Sequence, residues 1–236
     1  MTTDSPIAVV TGVASGIGRA VRQRFIADGW QVVGLDIATP DDPVAFSELI
    51  HADLSMPDDT NKAITALAGH DPIAFVHAAG VMCADTHAAT QADAGAALWM
   101  LHVGAAHMLS RALLPRMPER LGRIIFVSSR AAQGRAGRGY YAASKAALNG
   151  LARSLAAEQV ARGITVNVVA PAATDTPQLR DPTRANAPVR PLPIGRLIKP
   201  EEVAATIAFL ASVDAGAITG QTIYQCGGAS LAGIDG

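Results

Sequence analysis

Tyr141 and Lys145 stand four residues apart in Tyr141-Ala142-Ala143-Ser144-Lys145, a spacing that puts a phenol and an ammonium on one face of a helix. A phenol with an ordinary pKa of about 10 is a poor base at neutral pH, and nearby positive charge stabilises its phenolate. Such a pair suits proton exchange with an alcohol or a carbonyl. Upstream, the apolar run Gly122-Arg123-Ile124-Ile125-Phe126-Val127 ends in Ser128-Ser129, which delivers two hydroxyls to the carboxyl end of a strand, where α/β sheets bind ligands. A second group has the chemistry of phosphate binding. Thr11-Gly12-Val13-Ala14-Ser15-Gly16-Ile17-Gly18 follows an apolar run and feeds a helical one, so its glycines permit a tight turn and its helix start offers N–H groups to a pyrophosphate. Asp36 closes the next apolar run, eighteen positions beyond Gly18. A carboxylate there accepts hydrogen bonds from an adenosine ribose and repels a 2′-phosphate. Positions 13 to 15 hold no arginine, and the cofactor expected is NAD. Asp53, before Leu54, is placed either to meet the adenine amino group or to cap the following turn.

Short apolar runs alternating with longer stretches of helical period position these groups, the pattern of βαβ units. Strands are predicted at Ile7–Val10, Gln31–Asp36, Leu49–Asp53, Ile73–Ala78, Arg123–Ser128, Ile164–Val169 and Thr222–Gln225. Helices are predicted at Ile17–Asp28, Pro57–Ala68, Ala92–Leu114, Tyr141–Arg162 and Pro200–Ala211. The fold expected is α/β, a single-domain Rossmann-type doubly wound parallel sheet of about seven strands with helices on both faces. At 236 residues, half of them hydrophobic, residues 1–236 suit one dinucleotide-binding catalytic domain. The long segment Thr176–Lys199, with five prolines, reads as an irregular substrate-binding loop. Nineteen basic and twenty acidic residues nearly cancel, which points away from nucleic acid and anionic membranes. Cys83 and Cys226 have neither metal-ligand nor disulfide-framework spacing, so no metal site is expected and a reduced cytoplasm fits. No signal peptide or membrane-spanning run is read in the sequence.

Taken in order, these motifs resemble the short-chain dehydrogenase/reductase family over essentially the whole chain. The matching pieces are the Thr11–Gly18 turn, Asp53-Leu54, Ala78-Ala79-Gly80, Ser129, Tyr141 with Lys145, Asn167 with Pro171, Thr176, Pro200-Glu201-Glu202-Val203, and Ile218-Thr219-Gly220-Gln221 before Gly227-Gly228. The resemblance implies that Tyr141 is general base in alcohol oxidation and general acid in carbonyl reduction, with Lys145 beside it. Ser129 would hydrogen-bond the substrate oxygen. The usual spacing to Tyr141 selects Ser128 instead, whereas strand register selects Ser129. Cofactor contacts are implied for Gly12, Ser15, Gly16, Ile17, Gly18, Asp36, Asp53, Leu54, Ala79, Gly80, Tyr141, Lys145, Pro171, Thr174 and Thr176, although for both threonines a helix cap is the competing reading. Three departures stand out. His102 occupies the position of the family's catalytic asparagine, either as a titrating catalytic group or as a residue that merely fills the place. His77-Ala78-Ala79-Gly80 replaces Asn-Asn-Ala-Gly, and Pro171-Ala172 and Cys226 replace Pro-Gly and a frequent Asp. The family also implies a homotetramer paired through Ala92–Leu114 and Tyr141–Arg162.

Family membership leaves the substrate open, because one fold serves many substrates through its loops. Arg130, Arg135 and Arg138 precede Tyr141 without an acid among them, and Thr176–Lys199 holds Arg180, Arg184, Arg190, Arg196 and Lys199 against Asp181. Guanidinium forks bind carboxylates, so a small anionic secondary alcohol is expected, with Arg180 first and Arg138 second as the residues that hold it. Ala173-Thr174-Asp175-Thr176 and Val103-Gly104 are similar to dehydrogenases that aromatise dihydrodiol carboxylates, which makes a cyclic hydroxy acid one candidate. The alternatives are an acyl-thioester ketoreductase and a nucleotide-binding regulatory protein without turnover.

Overall fold

The computed structural model describes residues 5–42, 47–82, 92–180 and 191–231. Seven strands, all parallel, form one sheet: β1 (Ile7–Thr11), β2 (Gln31–Asp36), β3 (Glu48–His51), β4 (Ala74–His77), β5 (Arg123–Val127), β6 (Thr165–Pro171) and β7 (Thr222–Gln225), in the order β3-β2-β1-β4-β5-β6-β7. The central strands are continuous apolar runs because both faces are covered; every residue of β4, β5 and β6 is buried. On one face α1 (Gly16–Ala27) packs against α7 (Pro200–Ala211), around Val10, Val21, Phe25, Val203 and Ile207. On the other face lie α2 (Pro57–Ala66), α3 (Ala92–Trp99), α4 (Ala105–Leu113) and α5 (Gly139–Gln159), around Val9, Phe75, Leu109, Leu148 and Leu155. The short α6 (Pro177–Arg180) follows β6.

The chain winds outward from β1 through β2 to β3, then returns past β1 to begin β4. This reversal between β1 and β4 is the topological switch point, above which α/β sheets bind ligands. Two further features frame it. Gly12 has φ +74°, and a Cβ there would lie 2.9 Å from the backbone of Ala79 beyond β4. A Cβ on Gly18 would lie 2.0 Å from the Gly12 carbonyl oxygen, so only glycine lets α1 start hard against the turn.

Three sequence expectations change. The helix expected over Ala92–Leu114 is broken by a π turn at Met100–Gly104, after which α4 runs on and closes in a 3₁₀ turn at Leu114–Arg116. The apolar period survives a π turn, which is why the pattern read as continuous. Strand β3 ends at His51, two residues before Asp53. The segment Thr176–Lys199 is not wholly irregular, since it opens with α6, while Arg184, Arg190 and Asp181, like Cys83, lie outside the described residues.

Candidate active site

The site grows from Thr11 and His77, the paired last residues of β1 and β4. Thr11 Oγ1 accepts the N–H groups of Ala78 (3.1 Å) and Ala79 (3.0 Å), which fills both of its lone pairs. Its own proton must then go to His77 Nδ1, 3.1 Å away, so His77 carries hydrogen on Nε2 and donates it to the Leu101 carbonyl at 3.0 Å. Leu101 lies inside the π turn. His77 thus ties the switch point to the irregular helix above it, a role invisible in the sequence, where it counted only as a replaced asparagine. Burial, with the Lys145 charge as the second cause, pushes its pKa down to about 3.

His102, on the same π turn, is also buried. Its Nε2 accepts the Val81 N–H at 3.2 Å, so the proton sits on Nδ1 and is donated to Ser144 Oγ at 2.9 Å. Ser144 in turn donates to the Tyr141 carbonyl at 3.0 Å. The imidazole meets the Tyr141 ring edge-on, with centroids 5.7 Å apart. Burial first, then the charge of Lys145 and the neighbouring His77, hold its pKa well below the ordinary histidine value, so His102 is a neutral strut rather than a group that titrates near neutrality.

Two bonds stitch β5 to α5. Lys145 Nζ donates to the Val127 carbonyl at 2.9 Å, and Ser128 Oγ donates to the Lys145 carbonyl at 2.7 Å. The Lys145 ammonium is buried, and desolvation pushes its pKa down to about 7. A Cβ on Gly80 would lie 3.0 Å from both Lys145 Nζ and His102 Nε2, so glycine leaves the room in which these groups meet. Ser128 is buried, and its hydroxyl is engaged by the Lys145 carbonyl. Ser129 is half-buried, and its oxygen accepts the Ala131 N–H at 3.1 Å, an arrangement that leaves its own hydrogen for a ligand.

At the nucleotide end, Asp36 accepts the Ala14 N–H through Oδ2 (2.8 Å) and the Ala38 N–H through Oδ1 (3.0 Å), pinning the glycine turn to β2. The first turn of α1 has no acid, which leaves its positive end open to an anion, and Ser15, its N-cap, makes no side-chain cap bond. Thr176 reaches the same turn, for a Cβ on Gly16 would lie 3.3 Å from its Cγ2. Sequence reasoning missed Asp42, which binds Arg22 and, at 2.8 Å, Arg19 Nε, closing the segment after β2 onto α1. The signal was present in two arginines three apart on one helix followed by Asp41-Asp42.

Other expected residues sit differently. Asp53 caps its turn by accepting from Ser55 N (2.9 Å) and Ser55 Oγ (2.6 Å). The Leu54 side chain is in the core. Thr174 gives its hydroxyl to the Ala172 carbonyl at 3.0 Å, and Thr176 accepts the Leu179 N–H at 3.3 Å as a cap of α6. Pro171 ends β6 and is buried, with Ala79 and Gly80 half-buried at the end of β4. Arg180 is an exposed partner of Asp175, whose oxygens it meets at 2.6 and 2.7 Å. Asp175 lies one position before the loop window that seemed nearly free of acid.

A family model described as enoyl-(acyl carrier protein) reductase matches residues 12–230, which takes in the glycine turn, Asp36, Ser129, Tyr141 and Lys145. The chain belongs to the short-chain dehydrogenase/reductase family. It is 35% identical to the 3-oxoacyl-(acyl-carrier-protein) reductase FabG of Salmonella typhimurium, over 97% of this chain and 98% of that one. It is 34% identical to the (2S)-((R)-hydroxy(phenyl)methyl)succinyl-CoA dehydrogenase subunit BbsD of Thauera aromatica, over 95% and 96%. Among solved structures, a blue fluorescent protein from a metagenomic library, in complex with NADPH, superposes with a TM-score of 0.87 at 29% identity, covering 98% of this chain and all of that one. The chain is therefore an oxidoreductase of this family, acting on CH–OH groups, and no helix among its described residues is long and apolar enough to cross a membrane.

Proposed function

We propose that this protein is an NAD-dependent oxidoreductase that interconverts a secondary alcohol and a ketone by hydride transfer. The carrying observation is the Asp36 carboxylate, held against the glycine turn by Ala14 N–H, where it would accept the ribose hydroxyls and oppose a 2′-phosphate. Arg19 and Arg22, the nearest cations on α1, are both engaged by Asp42. The residues present fit a dinucleotide: Gly12, Gly16 and Gly18 leave the turn without side-chain bulk, and the open end of α1 suits the pyrophosphate. Ser15, Ile17, Ala79, Gly80, Pro171 and Thr176 would line it, with Asp53 and the Leu54 backbone at the adenine end and Thr174 a weaker contact. When bound, the nicotinamide supplies the hydride acceptor or donor.

The chain's own part is to move one proton. Tyr141 Oη takes the alcohol proton in oxidation and returns it to the carbonyl oxygen in reduction. The Lys145 charge favours the phenolate, and Ser129 donates to the substrate oxygen with the hydrogen its Ala131 contact leaves free. His102 and Ser144 hold the Tyr141 backbone in place.

The similarity to FabG supports a second reading, an acyl-thioester ketoreductase. Titrating NAD and NADP separately and assaying secondary alcohols against acetoacetyl-CoA separates the two. Tighter NAD binding with alcohol oxidation supports the first, and preference for NADPH with thioester reduction would replace it. Nucleotide binding without turnover on either panel would leave a regulatory protein. A homotetramer paired through α4 and α5 is the assembly proposed; light scattering that reports a single 24.2 kDa chain at micromolar concentration would exclude it.

A further inference from the structure

We propose that Arg138 holds a carboxylate carried by the substrate itself, a few atoms from the carbon that exchanges hydride. This inference rests on the dehydrogenase reading above and names its substrate class. Three described cations of the flanking loops already have partners. Arg180 is bound by Asp175, Arg196 meets both oxygens of Glu202 at 2.7 Å, and Arg130 donates to the Ala229 carbonyl at 3.0 Å. Arg138 differs. It is only 7% exposed although residues 133–137 and 139–140 on either side are exposed, so this side chain alone is drawn inward. Among the described residues its Nη1 is shut off from water and has no acceptor, and no ion pair includes it.

A buried ammonium can escape this situation by losing its proton, but a guanidinium cannot. Arg138 therefore stays charged, and a buried charge without a partner is costly unless an anion arrives to pair it. Its place says which anion. Arg138 is the N-cap of the 21-residue α5, whose first turn carries Tyr141 and no acid, so the helix dipole adds to its charge. The planar fork matches the two oxygens of a carboxylate. Three residues before Tyr141 on the same helix start, its guanidinium would meet a group a few atoms from the substrate oxygen rather than the distant phosphates of a coenzyme A carrier.

The test pairs 3-hydroxybutyrate and 3-hydroxycyclohexanecarboxylate with their methyl esters, and adds 3-hydroxybutyryl-CoA, for the wild type, Arg138→Met and Arg138→Lys. Calorimetric titration of acetoacetate against methyl acetoacetate gives binding without turnover. Wild type should prefer at least one acid over its ester by tenfold or more in KM. Arg138→Met should erase that preference by raising KM for the acid and not for the ester, and Arg138→Lys should recover only part of it. Without substrate, Arg138→Met should melt no lower than wild type, because it removes an unpaired buried charge. The proposal is overturned if acids and esters bind and react alike, if Arg138→Met weakens acid and ester equally while lowering Tm, or if only the CoA thioester responds. Failure of every substrate to turn over with NAD or NADP would sink the dehydrogenase reading instead, and acetoacetate binding would still decide Arg138.

Discussion

In the proposed reaction Tyr141 is the residue on which the chemistry turns, since its oxygen alone is assigned the proton. Replacing it by Phe keeps the ring that His102 meets edge-on and removes the acceptor. Tyr141→Phe should lower kcat by about 10²–10⁴-fold, the usual worth of a positioned acid or base, while a dinucleotide titration stays within a few-fold of wild type; retention of most activity would remove Tyr141 from the mechanism. The two serines separate by a different measurement. Ser128→Ala deletes the bond to the Lys145 carbonyl and should cost about 1 kcal/mol in a denaturant melt, with modest loss of activity. Ser129→Ala should melt near wild type yet lose most of its kcat/KM. The reverse ranking would put Ser128 at the substrate. The sequence left these serines open because spacing and register pointed to different residues; in the structure they differ in burial and partners, Ser128 buried on the Lys145 carbonyl and Ser129 half-buried with the Ala131 N–H.

At the scale of elements, the pattern of apolar runs located every strand to within about two residues, because strands buried on both faces leave continuous hydrophobic runs. The helices expected to start at Pro57 and Pro200 do start there, and the one expected to end at Arg162 closes α5 in a 3₁₀ turn at Val160–Arg162 before Gly163, which adopts the left-handed conformation at φ +67°. The π turn was not legible, for its cause is long-range: it carries both the carbonyl that His77 binds and the imidazole that meets Ser144. The ion pair of Arg180 was not legible either, because its partner, Asp175, lies just outside the segment Thr176–Lys199. Helix α3 supplies a test of how closely these elements are fitted. A Cβ on Gly95 would stand 2.8–2.9 Å from the ring of Tyr140, the neighbour of Tyr141. Gly95→Ala should therefore displace Tyr140 and the start of α5, and kcat/KM should fall by about tenfold or more, as misplacing a catalytic group by a fraction of an ångström does. Alanine favours helix over glycine by about 1 kcal/mol, so unchanged or raised Tm with reduced activity is the expected signature. Unchanged activity would show that Tyr140 yields freely.

For the molecule as a whole, Lys145, His77 and His102 lie buried at the carboxyl end of the sheet, and this makes the stability of the cofactor-free protein depend on pH. Each of the three has its folded pKa lowered by burial, so each binds fewer protons folded than unfolded, and stability must rise with pH between the two values. For His77 the window runs from about 3 up to the unfolded value of 6.5, and His102 acts in the same direction below 6.5. For Lys145 it runs from about 7 to 10.5. Few proteins gain stability through the second window, since maximal stability ordinarily falls between about pH 5 and 8. Calorimetric Tm of the cofactor-free protein should accordingly be higher at pH 9.5 than at pH 7 at fixed ionic strength. Lys145→Met should remove most of that rise, and His77→Asn should flatten the fall between pH 6 and pH 4. A wild-type Tm that declines from pH 7 to 9.5, or an unaltered rise in Lys145→Met, would mean that Lys145 keeps an ordinary pKa and is solvated in the folded chain. Lys145 would then keep its charge to about pH 10.5, so the same melt sets the pH range over which that charge is available to favour the Tyr141 phenolate.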